Sequence, residues 1–446
     1  MITSPAFRGK RYAVFGLARS GRATVSALAA SGAEVIAWDD NMAAREAVAG
    51  EAVLIDLMTV DLAGFDGLVL SPGIPLHTHP LALKARQAGV PLIGDIELFA
   101  IARATLPPHR VVGVTGTNGK STTTALIHHI LKTAGMDARL GGNIGLPILA
   151  QEPPATGGVF VLELSSFQID LTMSLACDVA VLLNLTPDHL DRHGDMGGYA
   201  AAKQRLFTMQ EPSGTAVIAT DDEFTGAIAR NVRARLVEVS ATRPLSTGIA
   251  VVGGTAMIDG ERLCSQDEWP ALAGPHNAQN AAAAIAAALT LGVSRADILN
   301  GLKTYPGLPH RMEQVADRGG VRFVNDSKAT NPTSSAPALA AYPAIHWILG
   351  GLAKTKDLDA CLPHLGHVRA AYVIGEAGPM FARLLRGHGV SVIEAGTLAS
   401  AVEVAAAAAR PGEVVLLSPA CASYDQFRDF EARGDAFRAA VEGLVR

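Results

Sequence analysis

The sequence contains little cysteine, and its cysteines are not paired. The four that occur among 446 residues, Cys177, Cys264, Cys361 and Cys421, are far apart and form no C-x-x-C motif. Disulfide frameworks and zinc sites need cysteines at characteristic spacings, whereas isolated thiols are typical of proteins in a reducing cytosol. We therefore expect four buried free thiols.

The sequence also lacks a basic excess and a long apolar run. Its net charge is −5, which argues against nucleic-acid or anionic-membrane partners because both need a basic surface. The longest apolar stretch, residues 281–291, is rich in alanine and too short to span a bilayer. Basic residues at positions 8–11 are followed by no apolar core, so we predict neither a signal peptide nor membrane insertion.

What is abundant is apolar sequence, glycine and alternation of strand-like with helix-like segments. Apolar residues make up 49% and charged residues 18% of the chain, and 45 residues are glycine. A chain of this length suggests about three domains of roughly 150 residues each. Alternating strands and helices predict α/β domains with parallel sheets. We place the domains at residues 1–106, 107–307 and 308–446, with proline-containing linkers between them.

The most informative stretch is the glycine-rich sequence TGTNGKST at residues 115–122. It follows an apolar run and precedes a helix predicted from about Ser121 to Gly135. In that setting backbone N–H groups can surround an anion, Lys120 can reach the outer phosphates, and Ser121 can ligate Mg²⁺. The common pattern G-x-x-x-x-G-K-[ST] would start at Val114, but the glycine lies one residue earlier, at Gly113. A phosphate-binding loop is predicted, and a chance Gly-Lys-Ser turn is the alternative.

Two later strands end in residues that could bind metal. Glu163 follows an apolar run typical of a buried parallel strand, and in a P-loop fold an acidic residue there meets Mg²⁺. The alternative is an exposed strand end. His189 follows the next strand and is a candidate second metal ligand. We interpret His193 as a surface residue rather than a zinc partner of His189, because proline and several acids make a regular helix face doubtful. Spacing alone does not distinguish Lys203 from a solvated lysine.

Two other features suggest nucleotide contacts without deciding them. Asn277 and Asn280 share a face in the first turn of a predicted helix, where they could read a purine edge, or Asn277 could cap the helix. Residues 12–38 open as a βαβ unit, but Ala18 replaces the middle glycine of the dinucleotide fingerprint. Asp39 or Asp40 could hold a ribose there, and a purely structural turn is as plausible as an NAD site.

The last segment has polar clusters after three of its predicted strands, at residues 325–331, 350–354 and 418–427. Because the carboxyl ends of parallel strands share one sheet edge, we expect these clusters to form one site. Two lysines, a threonine and a serine suit a small substrate with two carboxylates.

Taken together, these residues resemble the Mur ligases, ATP-dependent amide-forming enzymes of peptidoglycan precursor synthesis, over essentially the whole chain. The resemblance rests on residues 116–122, Glu163, His189, residues 276–280 and His310-Arg311. The clusters at 325–331 and 418–427, with residues 430–434, resemble the branch that adds D-glutamate. The Asn-Pro-Arg element of the branch that adds diaminopimelate or lysine is absent from the sequence.

The resemblance implies roles for individual residues. The ATP phosphates would be held by Gly116, Thr117, Asn118, Gly119, Lys120, Ser121, Thr122 and Arg311. Adenosine would contact Asn277, Asn280 and Asp326. Two Mg²⁺ ions would be bound by Ser121, Glu163, His189 and Lys203, the last as an N6-carboxylated (carbamylated) lysine. Catalysis would depend on Lys120, Glu163, His189 and Lys203. The UDP-muramoyl substrate would contact Ser20, Asp39, Ser71 and Asn143. D-Glutamate would contact Lys328, Thr330, Lys354, Ser423 and Phe430.

The implied activity is addition of D-glutamate to UDP-N-acetylmuramoyl-L-alanine through an acyl phosphate, by a monomer in the bacterial cytoplasm. The implied fold is a Rossmann-like UDP-binding domain, a central P-loop ATPase-type domain and a Rossmann-like C-terminal domain that binds the amino acid. The alternatives are a related ligase for another amino acid and a P-loop ATPase without ligase activity. Two positions depart from the family pattern: no acidic residue stands near Leu352 before Lys354, and no basic residue stands at 39–41.

Overall fold

The computed structural model describes residues 1–272 and 274–444, which form three β-sheets flanked by helices. The chain divides into two compact units, Met1–Tyr305 and Pro306–Arg446. Two of the sheets lie in the first unit and one in the second. The predicted α/β class with three sheet-based domains is confirmed.

The first sheet has five parallel strands in the order β3-β2-β1-β4-β5. This order reverses between β1 and β4, the place where open α/β sheets bind ligands. The strands are β1 (Arg11–Phe15), β2 (Glu34–Trp38), β3 (Val53–Leu54), β4 (Gly67–Leu70) and β5 (Leu92–Ile93). The helices are α1 (Arg19–Ala30), α2 (Met42–Glu46), α3 (Pro80–Gln87) and α4 (Asp95–Ala102).

The second sheet has nine strands in the order β14-β13-β12-β11-β10-β9-β6-β8-β7, parallel except for antiparallel pairing along β12-β13-β14. The strands are β6 (Arg110–Thr115), β7 (Ala138–Gly142), β8 (Val159–Glu163), β9 (Val179–Leu182), β10 (Thr215–Ala219), β11 (Arg235–Ser240), β12 (Ile249–Val252), β13 (Thr255–Ile258) and β14 (Glu261–Ser265). The helices are α5 (Lys120–Thr133), α6 (Ser166–Asp170), α7 (Leu190–His193), α8 (Met196–Thr208), α9 (Glu223–Ala229), α10 (Pro275–Thr290) and α11 (Arg295–Thr304).

The alanine-rich stretch forms the buried part of α10. Its side chains from Ala281 to Ala288 are at most 1% exposed, and they pack in one core with residues of α5 and β12. Alanine has the highest helix propensity, and its small side chain lets a helix lie close to its neighbours. Among the described residues, no helix is both long and apolar enough to cross a bilayer.

The first two sheets share one hydrophobic core. Phe99 of α4 and Phe160 of β8 contact each other with ring centroids 4.8 Å apart. The buried Glu97 carboxylate of α4 accepts hydrogen bonds from the backbone N–H groups of Met173 (2.6 Å) and Ser174 (2.9 Å). The two sheets therefore belong to one compact unit, and the boundary at residues 106 and 107 stays a prediction.

The third sheet has the order β15-β16-β20-β17-β18-β19, parallel except for β15. The strands are β15 (Glu313–Arg318), β16 (Val321–Asn325), β17 (Ile345–Gly350), β18 (Val368–Ile374), β19 (Val392–Gly396) and β20 (Val414–Leu417). The helices are α12 (Pro332–Ala340), α13 (Gly378–Gly387), α14 (Leu398–Ala408) and α15 (Phe430–Glu442). Sequence reasoning missed β15, because its residues are mostly polar and none is buried. All four cysteines of the chain are buried and free.

Candidate active site

The glycine-rich loop joins β6 to α5 as predicted, and the helix begins at Lys120. Gly116 has φ +148° and Gly119 has φ +82°, conformations that other residues rarely adopt. Gly113 lies inside β6, where an added Cβ would be 2.7 Å from Cys177 Sγ. The off-pattern glycine therefore serves packing beneath the sheet, and the first glycine of the loop itself is Gly116.

Asn184, immediately after β9, anchors the loop. The backbone N–H groups of Thr117 and Asn118 donate to the Asn184 backbone oxygen and Oδ1, each at 2.8 Å. Asn184 Nδ2 donates in turn to Gln279 Oε1 of α10 at 2.7 Å. Sequence reasoning missed Asn184 and Gln279. The available signal was that Asn184 follows a strand predicted to end at the edge of the sheet where the loop lies.

The Lys120 ammonium group lies over the loop. Its Nζ donates to the backbone oxygens of Gly116 at 3.0 Å and Thr117 at 2.7 Å. Ser121 and Thr122 follow in the first turn of α5, and both are half-buried. The arrangement combines a flexible cation with a helix N-terminus, and both favour an anion.

Asn277 and Asn280 lie beside this loop. Asn280 Nδ2 donates to Asn277 Oδ1 at 3.1 Å, and Thr123 Oγ1 donates to Asn280 Oδ1 at 3.2 Å. The N-cap of α10 is Gly274, so the capping interpretation of Asn277 is wrong. Contact of this amide pair with adenosine stays a prediction.

Glu163 lies at the carboxyl end of β8, next to the strand that leads into the loop. It pairs with Val114 in the β6–β8 register and is only 2% exposed, so the alternative of an exposed strand end is wrong. Asn143 Nδ2 donates to Glu163 Oε1 at 2.8 Å, whereas Glu163 Oε2 is buried without a hydrogen-bond partner. A buried carboxylate oxygen without a partner is costly unless a ligand such as a cation satisfies it.

These donors fit Mg²⁺. At phosphate sites this ion prefers oxygen ligands and is usually held by one or two carboxylates together with substrate phosphates and water. Glu163 supplies the carboxylate and Ser121 supplies a hydroxyl at the start of α5. Within residues 1–272 and 274–444, no three His, Cys, Asp or Glu side chains come together as a metal-binding group.

His189 and His193 lie at opposite ends of one helical turn. His189 has φ +52°, is exposed, and places Nε2 3.3 Å from Asp188 Oδ2. The His193 side chain is only 6% exposed, and its Nε2 lies 3.0 Å from Ser166 Oγ. The interpretation of His193 as a surface residue is therefore wrong. The short α7 turns its last residue inward, where the His193 ring packs 5.5 Å from that of Tyr199.

Lys203 of α8 is buried beneath the loop rather than solvated. It is 1% exposed, and its Nζ donates to the Gly116 backbone oxygen at 2.9 Å and lies 4.7 Å from the centre of the Tyr199 ring. Burial, reinforced by the nearby Lys120 charge, lowers the pKa of Lys203 to about 7, although nearby carboxylates oppose the shift. Much of this amine is therefore neutral, and hence nucleophilic, near neutral pH.

At the first sheet, Ser20 and Ser71 line a small depression at the carboxyl ends of β1 and β4. Ser71 Oγ donates to the Gly16 backbone oxygen at 3.3 Å. The Asp39 carboxylate already accepts two backbone N–H groups, from Leu17 at 2.6 Å and Asn41 at 2.8 Å. Asp39 therefore orients the turn after β1, and its contact with UDP stays a prediction.

Arg45 provides a basic group near this turn that sequence reasoning missed. The sequence has no basic residue at 39–41, but Arg45 of α2 reaches back over the Trp38 ring, 4.2 Å from its centre. Its Nη1 also donates to the Asp39 backbone oxygen at 2.5 Å. One turn of helix separates Arg45 from the expected position, so reading the sequence residue by residue could not reveal it.

In the second unit, the three polar clusters come together at the carboxyl ends of β16, β17 and β20. Lys328 Nζ lies 3.9 Å from the centre of the Phe430 ring, and Lys354 Nζ donates to Thr330 Oγ1 at 3.1 Å. Leu352 and Ala422 form an antiparallel bridge that joins the second cluster to the third. The predicted single site is therefore supported, with a buried Ser423 at its edge.

Asp326 and Arg311 lie at the start of the first of these clusters. Asp326 is buried, and its Oδ2 accepts a hydrogen bond from Ser418 Oγ at 2.8 Å. Burial raises the pKa of Asp326 to about 7, although that hydrogen bond opposes the shift. Arg311 is exposed between His310 and Met312, whose φ values are +62° and +46°. Nucleotide contacts of both residues stay predictions.

Comparison with protein families gives two matches. A profile described as "Mur ligase middle domain" matches residues 114–288, which contain the glycine-rich loop, Glu163, His189 and Lys203. A profile described as "Mur ligase, glutamate ligase domain" matches residues 310–421, which contain the first two polar clusters and the start of the third.

Curated relatives are similar over their full length. The chain is 59% identical over 445 residues to a protein of Novosphingobium aromaticivorans named UDP-N-acetylmuramoylalanine--D-glutamate ligase, covering 100% of this chain and 97% of that one. It is 58% identical over 450 residues to the Sphingopyxis alaskensis protein of the same name, covering 100% of both.

Solved structures share the fold at low identity. The UDP-N-acetylmuramate-alanine ligase of Thermotoga maritima superposes with a TM-score of 0.62 at 18% identity, covering 97% of this chain and 99% of that one. A UDP-N-acetylmuramoyl-L-alanyl-D-glutamate--2,6-diaminopimelate ligase superposes with a TM-score of 0.57 at 20% identity, covering 88% and 95%.

Proposed function

The chain belongs to the Mur ligase family, and from that premise we propose that it joins D-glutamate to UDP-N-acetylmuramoyl-L-alanine at the expense of ATP. The choice of amino acid is supported by full-length identity to relatives named for D-glutamate. The structural observation that carries the proposal is the buried, unpartnered Glu163 Oε2 beside the glycine-rich loop. A buried carboxylate oxygen next to a glycine-rich loop suits a Mg²⁺-dependent phosphoryl donor site.

The reaction has two chemical steps. The alanyl carboxylate attacks the γ-phosphorus of ATP, an O–P bond forms, and the bond to the β,γ-bridging oxygen breaks to release ADP. The D-glutamate amine then attacks the acyl carbon of the resulting acyl phosphate. The C–N bond forms, phosphate leaves with its bonding electrons, and the amine loses a proton. Lys120 neutralises charge on the transferring phosphoryl group, a contribution that is large in a site shielded from water.

Mg²⁺ would be held by Ser121, Glu163, His189 and a carbamylated Lys203, at two positions. The ion supplies Lewis-acid stabilisation of the negative charge on the phosphate oxygens. The protein residues themselves fix where the phosphates lie. Gly116 to Thr122 would line the phosphates, with the N–H groups at the start of α5 as donors because those of Thr117 and Asn118 are bonded to Asn184, and Arg311 would provide a further cation. Asn277, Asn280 and Asp326 would contact the adenosine.

The surroundings of Lys203 support its carbamylation. The ammonium group first loses a proton. The neutral amine then attacks the carbon of CO₂, an N–C bond forms as one C–O π bond opens onto oxygen, and a second proton leaves the nitrogen, so that a cationic side chain becomes an anion. A lysine whose pKa is lowered to about 7 has the required neutral form at physiological pH. The product would remove a buried positive charge and add a ligand for the second Mg²⁺.

The other substrates would bind at the remaining clusters. D-Glutamate would contact Lys328, Thr330, Lys354, Ser423 and Phe430 in the second unit. The UDP-muramoyl substrate would contact Ser20, Asp39, Ser71 and Asn143 in the first unit, where Arg45 takes the place of the basic residue missing from 39–41. We further propose a cytoplasmic monomer of three domains, residues 1–106, 107–307 and 308–446.

Phosphate release tests the proposal. We expect little release with ATP alone and much more when UDP-N-acetylmuramoyl-L-alanine and D-glutamate are both present. A panel of D-glutamate, L-glutamate, L-lysine and diaminopimelate distinguishes this activity from that of a ligase for another amino acid. Release that ignores the amino acid would overturn the proposal and favour a simple ATPase.

A further inference from the structure

A second buried cation, Arg433 of α15, lies beneath the polar clusters of the second unit. It is 1% exposed. Its Nε donates to Ser327 Oγ at 3.0 Å, and its Nη2 donates to the backbone oxygens of Ser327 at 2.8 Å and Cys421 at 3.1 Å. Its Nη1 donates to the Ala422 backbone oxygen at 3.3 Å. All four acceptors are neutral oxygens.

This one guanidinium group donates hydrogen bonds to two of the clusters and lies beside the third. Ser327 belongs to the first cluster, and Cys421 and Ala422 belong to the third. The second cluster approaches through Gly351, where an added Cβ would be 3.2 Å from Arg433 Nη1. The Ala422 oxygen that accepts from Arg433 also accepts the backbone N–H of Leu352 at 2.9 Å.

The charge of Arg433 has no direct anionic partner. In the part of the chain that the structure describes, no carboxylate lies within ion-pair distance of it. Arg438, five residues later on the same helix, pairs instead with Glu313 at 2.6 Å and Asp435 at 2.8 Å. Burial lowers the pKa of Arg433 to about 10 although the Asp425 carboxylate, which lies beyond ion-pair distance, opposes the shift, so the group stays protonated at neutral pH. A buried charge of this kind is costly without compensation.

We propose that Arg433 is a positioning residue for the amino-acid substrate: it holds the three clusters in register and supplies a fixed positive charge that a bound dicarboxylate compensates. This inference rests on the proposed function. The inference predicts that the ligand is an amino acid with a net negative charge. An amino acid without net charge would leave the positive charge of Arg433 uncompensated, as it is in the free protein.

The geometry requires arginine and not merely a cation. Three nitrogens of one planar group reach four acceptors on two chain segments, and a lysine ammonium presents a single nitrogen. Lysine also loses its proton readily when buried, as the lowered pKa of Lys203 illustrates. The conservative substitution should therefore restore only part of the effect.

The test compares Arg433→Met and Arg433→Lys with Arg438→Met, which removes a compensated arginine from the same helix. We expect Arg433→Met to raise KM for D-glutamate at least about 30-fold, the low end for loss of a buried hydrogen-bonded charge. KM for ATP and for the muramoyl nucleotide should stay within about 2-fold. Arg433→Lys should be intermediate, and Arg438→Met should leave all three KM values unchanged.

Other results overturn the inference. Equal rises in all three KM values, or a loss of kcat and thermal stability without a selective rise in KM for D-glutamate, would make Arg433 merely structural. If Arg433→Met does not fold, Arg433→Lys and Ser327→Ala decide, because Ser327→Ala keeps the charge and removes the hydrogen bond from Arg433 Nε together with the one that Ser327 Oγ donates to the Phe430 backbone oxygen. Ser327→Ala should raise KM for D-glutamate only about 3-fold, and Arg433→Lys more. Failure of the proposed function would show separately, as wild-type protein without D-glutamate-dependent phosphate release.

Discussion

Lys203 and Arg433 are both buried cations without a carboxylate partner in direct contact, one in each compact unit, and they respond to burial differently. Each is 1% exposed and donates to neutral oxygens. Burial lowers the pKa of Lys203 to about 7 and that of Arg433 to about 10. At neutral pH a large fraction of the Lys203 side chain is therefore neutral, whereas the Arg433 side chain stays protonated.

The difference follows from the chemistry of the two side chains. An ammonium group concentrates its charge on one atom and titrates when desolvated, whereas a guanidinium group spreads its charge and stays protonated. In the first unit a titratable amine beside the glycine-rich loop can become an anion by taking up CO₂. In the second unit a permanent cation suits a site for a substrate that brings its own negative charges.

The largest predicted effect comes from Lys203→Arg. This substitution places a guanidinium group, the kind of cation that Arg433 provides in the second unit, at the buried position in the first unit. A guanidinium group there cannot be carbamylated and keeps a positive charge where Mg²⁺ would bind. We expect turnover to fall by about 10²- to 10³-fold, as for loss of a major electrostatic contribution to catalysis. Phosphate release measures it, with thermal unfolding as a check on folding. Lys203→Arg protein with more than a tenth of wild-type activity would contradict the comparison.

Glu163→Gln is expected to have the next largest effect. It removes the charge of the only carboxylate side chain that we assign to Mg²⁺. The side chain keeps its shape and can still accept the hydrogen bond from Asn143. The Mg²⁺ concentration for half-maximal activity should rise by at least about 10-fold, because even loss of a residue that only supports a metal ligand typically costs about 10- to 100-fold in metal affinity. The control is Glu152→Gln, the same substitution at an exposed position. Gln168→Glu, also after β8, is unsuitable as a control because the Gln168 side chain takes part in capping α6. An unchanged Mg²⁺ dependence would remove Glu163 from the metal site.

The first unit's loop could be predicted from sequence because its physics is local. Strand, glycine turn, Lys120 and helix follow one another within a few residues, and the carboxyl end of β8 places Glu163 beside them by register alone. The buried state of Lys203 could not be predicted, because it arises where α8 packs under the loop. The surface interpretation of His193 was wrong for the same reason, because the position of His193 depends on how the short α7 meets its neighbours.

In the second unit, too, contacts between residues far apart in the sequence could not be predicted. The three polar clusters could be assigned to one site because parallel strands end at one edge. The contacts of Arg433 join residues separated by 106 positions, from Ser327 to Arg433, and no spacing rule links them. Arg45 and Asn184 were likewise missed, since each acts through a contact that only the folded chain creates.

A smaller effect is predicted for Asp326→Asn, which tests a buried acid in the second unit. Burial raises the folded-state pKa of Asp326 to about 7, above its ordinary value, so the folded protein holds this proton more tightly than the unfolded chain. The associated stability is present in acid and is lost as pH rises from about 4 to 7. Asp326→Asn should flatten that loss and raise the unfolding midpoint by a few degrees at neutral pH. Parallel pH profiles for wild type and variant would contradict the assignment, and exposed Asp317→Asn is the control.

The smallest effect is predicted for Arg438→Met, the compensated arginine of α15. Its ion pairs with Glu313 and Asp435 are partly exposed, so we expect the free energy of unfolding to fall by about 1 kcal/mol or less. Denaturant unfolding measures this change. A loss well above about 1 kcal/mol would contradict the view that these partly exposed ion pairs contribute little.

The most direct test of the contrast between the two cations is carbon NMR of the protein in isotopically labelled bicarbonate. The neutral amine of Lys203 should bind labelled CO₂ and give a carbamate resonance in the wild-type protein. That resonance should be absent from Lys203→Arg and unchanged in Arg433→Lys. A wild-type spectrum identical to that of Lys203→Arg would contradict the account.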